Sequence, residues 1–453
     1  MSTDPGAPSA DLAAWVARML PALVLAMPMV AAWPGYLSFD SAAAFAEARS
    51  QRFADVAPPL LPWLWSVLLT VLPATMGPLL LIWVTWSVGL ALLIDQAIRL
   101  RANRLGWALA ALAPLFPIGL MLLPHLWNDV LLAGLLLLAV GLIVRGGGLI
   151  MTGLLLMVLL AATALRHNAM LAVLPLVGFW LIARFGCSMR THLLAGGLLA
   201  VTIALVVAAT FINASLAERK IDTWAVTLMF DLQAVSVARG EIMLPAELIG
   251  AGMTVEQLET AFHPYSSTTL FTGTRSGVAN PTIERLDADQ RRALLRAWWS
   301  LPFTRDYWHH RVRLMAGMLG RHDRPGLRGL ADSPGLVQVA DNPALERRFE
   351  RPHGYYRMAV NALKTTFLVA PGWYLFAALV LVPLLAHRRA RPWMPAAWAL
   401  WVSALAYTAS FAAMAPSAEL RYLLWPSLAG WLAVLIVVFA PSDRQAVIDN
   451  QRP

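Results

Sequence analysis

HLWNDVLLAGLLLLAVGLIV, residues 125–144, decides how the rest of the chain is read. From Val130 to Val144 no side chain carries a charge or a hydrogen-bonding group. A helix rises about 1.5 Å per residue, so about 20 such residues cover the roughly 30 Å hydrocarbon core of a bilayer. Inside that core the backbone must satisfy its own hydrogen bonds, which a helix does. Asp129 and Arg145 stand at the two ends of the apolar run.

Working outward, the same pattern recurs at 13–33, 77–98, 105–123, 148–164, 169–185, 192–212, 366–386, 393–413 and 420–440. The chain is therefore expected to be an all-α polytopic membrane protein with about ten transmembrane helices. Composition agrees: 59 % of the 453 residues are hydrophobic and only 13 % charged, against about 25 % charged in soluble domains. The mean hydropathy is +0.62. A string of soluble domains is excluded. The net charge of +9 is no sign of nucleic acid, because much of the arginine lies in short loops between apolar runs, where it sets topology. A single cysteine, Cys187, excludes an internal disulfide framework and a multi-cysteine metal site. The first segment has only Arg18 as a flanking positive charge and reads as an uncleaved signal anchor.

The basic short loops are Arg99/Arg101/Arg104, Arg145, Arg184/Arg190 and Arg388/Arg389/Arg391. With all of these on the cytoplasmic side, the segments after residue 77 alternate without conflict. Both termini are then cytoplasmic, and His125–Asp129, Arg166–Asn168, 213–365 and Ala415–Arg421 lie outside. The expected location is a bacterial inner (plasma) membrane, with 213–365 in the periplasm. Residues 58–74, PPLLPWLWSVLLTVLPA, would break the alternation if they crossed. Pro58, Pro59, Pro62 and Pro73 and the interfacial Trp63 and Trp65 make this stretch a juxtamembrane or re-entrant helix inside one outer loop, 34–76.

Three regions result: an N-terminal membrane core 1–212, an extracytoplasmic domain 213–365 and C-terminal membrane helices 366–453. The domain is expected to be mostly helical. Thr254-Val-Glu-Gln257 and Asp287-Ala-Asp-Gln290 resemble capping boxes, a third helix is expected from Pro302 through Arg313, and 265–282 reads as loop.

Chemistry is sought among polar groups near the bilayer, where charge is costly. Asp40, in PGYLSFDSAAAF, lies just past the first span. Partly shielded there, its carboxylate can take a proton from an attacking hydroxyl; Asp40 or Ser41 equally serves as a helix N-cap. Asp129 opens its span, where the helix dipole favours an acid, and the two acids can bracket a reacting centre or share a metal ion. Arg166-His167-Asn168 is a donor cluster suited to phosphate, or a helix-end anchor. The positive-inside rule disfavours arginine on that side, which favours function. Glu419, Arg421 and Tyr422 open the last span, where Arg421 suits a second phosphate contact or a local pair with Glu419. Asp95 and Arg99 read as a snorkelling pair. His309-His310 lack partners at zinc-ligand spacing, and Asn213-Ala-Ser215 is a short glycosylation sequon. The chain has no glycine-rich phosphate loop and no dinucleotide fingerprint, so an activated substrate at the membrane would supply the energy.

The order of these features resembles the GT-C class of membrane glycosyltransferases, which includes protein mannosyltransferases and the lipid A aminoarabinose transferase. The resemblance is carried by Phe39-Asp40-Ser41 after the first span, Pro58-Pro59-Leu60-Leu61-Pro62-Trp63-Leu64-Trp65, Gly77 before a span, Asn128-Asp129-Val130, Arg166-His167-Asn168 and the late Arg421-Tyr422. Many members carry lysine where this chain has Arg166 or His167. The resemblance implies a GT-C-like helical core over about the first 210 residues and a polyprenyl-phosphate-linked sugar donor. It implies Asp40 as catalytic base, Asp129 as second acid, and Arg166 and His167 on the donor phosphate, with Asn168, Arg421 and Tyr422 also at the substrate. The acceptor would be an envelope glycan, lipid or protein. A divalent metal is compatible with the sequence but not required by it. Trp298, Trp299, Arg305, Tyr307 and Arg311 suit an acceptor surface or packing onto the membrane.

The alternative from another class is a transporter or flippase of a lipid-linked saccharide, but the chain has no matching halves of the kind common in transporters. A phosphoethanolamine-type transferase would need a clustered zinc site and a nucleophile in 213–365, and neither is legible.

Overall fold

The structure is a computed structural model that describes residues 7–186, 190–272, 277–321, 342–343, 345, 348–389 and 393–442. Cys187, Arg391 and both chain termini lie outside the described residues. Among the described residues eight helices are long and apolar enough to cross a membrane: Asp11–Ala31, Met76–Arg99, Asn103–Leu122, Asn128–Arg145, Thr191–Leu216, Pro371–Arg388, Trp393–Met414 and Leu420–Phe439. Three shorter apolar helices are Leu60–Leu69, Leu149–Leu165 and Met170–Phe185. The chain is thus a helical polytopic membrane protein.

Asn128–Arg145, the helix of the opening stretch, is buried along most of its length, as is Leu420–Phe439. It packs most intimately on Met76–Arg99, and glycine makes the approach possible. A Cβ on Gly89 would sit 2.8 Å from the backbone nitrogen of Leu138, and one on Gly141 2.8 Å from the Gly89 carbonyl oxygen. Small residues let membrane helices come this close, where packing replaces the hydrophobic drive available in water. The indole of Trp86 closes the seam by donating to the Val130 carbonyl at 3.0 Å.

Leu60–Leu69 has ten residues, about 15 Å of helix, too short to cross. The prolines before it end the preceding loop, and the Asn213 side chain accepts from the otherwise unpaired Leu60 amide. The same Asn213 donates to the Ala164 carbonyl at 2.9 Å, so the sequon asparagine joins three segments from within the Thr191–Leu216 helix.

The stretch after Leu216 builds a second hydrophobic core of its own, from Ala225 to Tyr307. Both capping boxes form, at Thr254/Gln257 and Asp287/Gln290. The third helix is Arg305–Met318, preceded by a single 3-10 turn over Leu301–Phe303. Within 265–282 a short helix, Thr268–Thr272, interrupts the expected loop; residues 273–276 are outside the described set. The Glu350–Lys364 helix packs against the membrane core. Val360 is part of that core, and the Tyr356 hydroxyl donates to the Met121 carbonyl at 2.8 Å.

Two polar ends frame the spans. The basic end holds Arg99, Arg145, Arg184 and Arg389 in or just past the last turns of their helices. There Arg389 donates to the Val437 and Ala440 carbonyls that terminate the last helix. The other end holds Asp40 and Asp129.

Candidate functional site

Backbone pairing builds the acidic end. After the first helix, Tyr36 donates its amide to the Pro124 carbonyl at 2.9 Å, and Leu126 returns one to Tyr36 at 3.1 Å. This short parallel bridge lays residues 36–40 beside 125–129. The Trp127 indole then donates to the Ser38 hydroxyl at 2.7 Å. Ser38 is the N-cap of the Phe39–Ser50 helix, with its amide donating to the Ser41 hydroxyl at 2.8 Å. Neither Asp40 nor Ser41 is the N-cap. Asp40 sits in the first turn, on the face opposite the buried Ser41, Ala42 and Phe45. The expected shielding of Asp40 is therefore corrected: its side chain is 62 % exposed.

From Asp40 a chain of charges runs inward. Arg421 Nη2 donates to Asp40 Oδ2 at 2.6 Å. Arg421 Nε lies 3.9 Å from Asp129 Oδ2, and Arg166 Nη1 donates to Asp129 Oδ1. Exposure falls along the series, from Asp40 through Arg421 at 14 % to Asp129 at 3 %. The alternation of sign keeps a nearly buried carboxylate between two cations, the arrangement a buried charge requires. Arg421 pairs with these distant acids rather than locally with Glu419. Burial pushes the half-buried Glu419 carboxyl up from its ordinary value, with Arg421 opposing.

Aromatic rings hold the two guanidinium groups. Arg166 lies 4.5 Å from the Tyr422 ring centre and 5.2 Å from that of Phe411, and those two rings stack in parallel at 5.0 Å. Arg421 lies 4.9 Å from the Trp127 ring. Such contacts fix a cation without neutralising it. Asp129 Oδ2, Arg421 Nε, Asn168 Oδ1 and the Tyr407 hydroxyl are buried without hydrogen-bond partners among the described residues. Unmet polar groups gathered at one place mark where a polar ligand or water fits.

Of the sequence candidates, Asp40, Asp129, Arg166, Arg421 and Tyr422 come together. Asn168 stands at the edge, where its amide donates to Ser410 at 2.8 Å and ties the Arg166 turn to the Trp393–Met414 helix. His167 is exposed, and among the described residues no hydrogen bond or ion pair joins it to the cluster. The sequence reading missed Tyr36, Ser38, Trp127, Tyr407 and Phe411. Tyr407 and Phe411 were detectable as an i, i+4 aromatic pair near the acidic end of a span.

The helical region with its own core, Ala225 to Tyr307 and on through Arg311, grips the loop that leads into Arg421. Arg311 Nη1 donates to the Ala415 carbonyl at 2.7 Å, Ser267 donates its amide to the Pro416 carbonyl, and Ala418 donates its amide to the Tyr265 carbonyl at 2.9 Å. Arg311 is itself held by Asp231 Oδ2 at 2.6 Å, and the Trp298 indole donates to the same oxygen at 2.8 Å. Trp298, Tyr307 and Arg311 are therefore domain interior rather than acceptor surface; only Trp299 and Arg305 of that group are exposed. His310 stands edge-on to Phe230 at 4.7 Å, and burial lowers its pKa to about 3, so it is neutral beside Asp231. Among the described residues no group of three or more His, Cys, Asp or Glu could hold a metal ion.

Comparison with protein-family models, with curated proteins and with solved structures found no match to this chain.

Proposed function

We propose that this protein is a membrane-embedded glycosyltransferase of the GT-C class, moving a sugar from a polyprenyl-phosphate-linked donor to an envelope glycan, lipid or protein acceptor. In this reading the eight long helices and the two of 17 and 16 residues, Leu149–Leu165 and Met170–Phe185, make ten crossings of a bacterial inner membrane. The basic end faces the cytoplasm with both termini, and the acidic end and the outer domain face outward. The observation that carries the proposal is the Asp40–Arg421 pair, which joins residues 381 positions apart at the rim of the spans.

The chemistry follows from the gradient of exposure. An exposed ion pair is worth only about 0–1 kcal/mol, so a donor phosphate can take Arg421 from Asp40 at little cost. The released Asp40 carboxylate then accepts the proton of the acceptor hydroxyl. The acceptor oxygen bonds to the anomeric carbon as the carbon–oxygen bond to phosphate breaks. The leaving polyprenyl phosphate stays on the guanidinium of Arg421, with Arg166 behind it. Asp129 keeps both arginines charged and in place.

Asp40→Asn is expected to lower glycosyl transfer by about 10²–10⁴-fold while donor binding and thermal stability persist. The measurement is transfer in membranes from a strain lacking the chromosomal copy. Intact transfer with lost translocation of the lipid-linked saccharide would assign the protein to the flippase class instead.

The orientation has its own test. In a Cys187→Ser background, Ala57→Cys is expected to react with an impermeant maleimide in whole cells, and Asn103→Cys only after permeabilisation. Both positions are exposed on the protein. The reverse pattern would invert the proposed topology.

A further inference from the structure

At the end of the spans opposite Asp40, one covered carboxylate gathers three guanidinium groups. Asp95 Oδ1 accepts from Arg18 Nε at 3.0 Å, Oδ2 accepts from Arg99 Nε at 2.6 Å, and Arg145 Nη1 lies 3.5 Å from Oδ2. The cations come from three helices, Ala7–Ala31, Met76–Arg99 and Asn128–Arg145. Asp95 is 11 % exposed, whereas Arg18, Arg99 and Arg145 are 32 %, 60 % and 40 % exposed. The carboxylate is enclosed and the outer edges of the guanidinium groups are open.

One arginine would neutralise Asp95. Among the described residues every ion pair of these three arginines ends on it, so the cluster carries two positive charges in excess. Each planar fork presents five N–H donors, and only some are used here. Unused donors and unneutralised charge at the edge of a membrane match a phosphodiester. Apolar side chains lie alongside. Trp15, one turn before Arg18, is exposed, as are Leu149 and Ile150, which open the helix after Arg145. That combination suits a headgroup with acyl chains attached; a free phosphate would use only the charges. We infer that Arg18, Arg99 and Arg145 form a binding site for the headgroup of an anionic phospholipid in the leaflet at the basic end. The site is remote from the Asp40 cluster and does not depend on what that cluster does.

The test uses the full chain, purified and stripped of lipid in an uncharged detergent. Native mass spectrometry and thermal unfolding are followed with added phosphatidylglycerol, phosphatidylcholine or inorganic phosphate at constant ionic strength. Phosphatidylglycerol is expected to stay bound and raise the melting temperature, and phosphatidylcholine to do neither. Arg99→Gln and Arg145→Gln are each expected to weaken phosphatidylglycerol binding about fivefold. The charge-matched Arg104→Gln variant is expected to bind as the unsubstituted chain does. Should Arg145→Gln not fold, Arg99→Gln, at the most exposed position, carries the comparison. Equal binding of the two lipids, or an equal loss in the charge-matched variant, would overturn the proposal. Protection by inorganic phosphate as strong as by phosphatidylglycerol would also overturn it and assign the cluster to a free anion.

Discussion

Asp129→Asn will destabilise the folded chain by about 3–5 kcal/mol, the cost of leaving a buried charge without its partner. Asparagine has the same shape, so no cavity contributes. What changes is that Arg166 and Arg421, both largely buried, lose the carboxylate between them. Arg421 retains Asp40, but that carboxylate is mostly in solvent and compensates little. Among the described residues Arg166 then retains the rings of Phe411 and Tyr422. The measurement is thermal unfolding in detergent, read from the intrinsic fluorescence of the 19 tryptophans. Replacing the pair together, as Asp129→Leu/Arg166→Met, should recover much of the loss, because an apolar pair often equals or exceeds a buried ion pair. A melting temperature unchanged in Asp129→Asn would refute the assignment of Asp129 as the counter-ion.

Arg311→Met should be about as damaging, and its consequence should reach the rim of the membrane. Asp231 is fully buried and Arg311 nearly so, and without the guanidinium Asp231 keeps only the Trp298 indole as a donor among the bonds described. The expected cost is again about 3–5 kcal/mol. The Ala415 carbonyl loses its partner at the same time, which loosens the loop before Arg421. Trypsin cleavage after Arg421 should therefore accelerate strongly in the folded variant, at a temperature well below its melting point. An unchanged cleavage pattern would show that the remaining contacts from Tyr265 and Ser267 suffice to hold the loop.

Much of the architecture was legible because a bilayer permits few solutions. The apolar run after Asp129 and the arginines between segments depend only on sequence neighbours, as do the capping boxes at Thr254 and Asp287. Leu60–Leu69 was legible as a non-crossing helix from its prolines. The candidate site was legible as a set of polar groups at helix ends, but not as a wiring diagram. Nothing near Arg421 in sequence distinguishes Glu419 as a partner from Asp40; the bridge between Tyr36 and His125 decides that. The same bridge, with Ser38 bonded to Trp127, shifts the helix start and turns Asp40 to solvent. Asp95 looked like half of a local pair because Arg99 is four residues away, whereas Arg18 and Arg145 reach it only through helix packing. Arg311, Trp298 and Tyr307 looked like surface because aromatic faces and guanidinium groups suit a sugar or the membrane boundary, and only tertiary structure shows the buried Asp231 they surround.

The alternating series from Arg166 to Asp40 also bears on how such a protein enters a membrane. Synthesis runs from the N-terminus, so Asp129 and Arg166 are both made long before Arg421, and together they form a neutral couple. A lone ionised group deep in lipid is expensive; this one arrives with its opposite. The last helix brings Arg421 when Asp40 and Asp129 are already in place to receive it. Each arginine thus meets a counter-charge at the threshold, and the order of residues along the chain becomes a workable order of assembly.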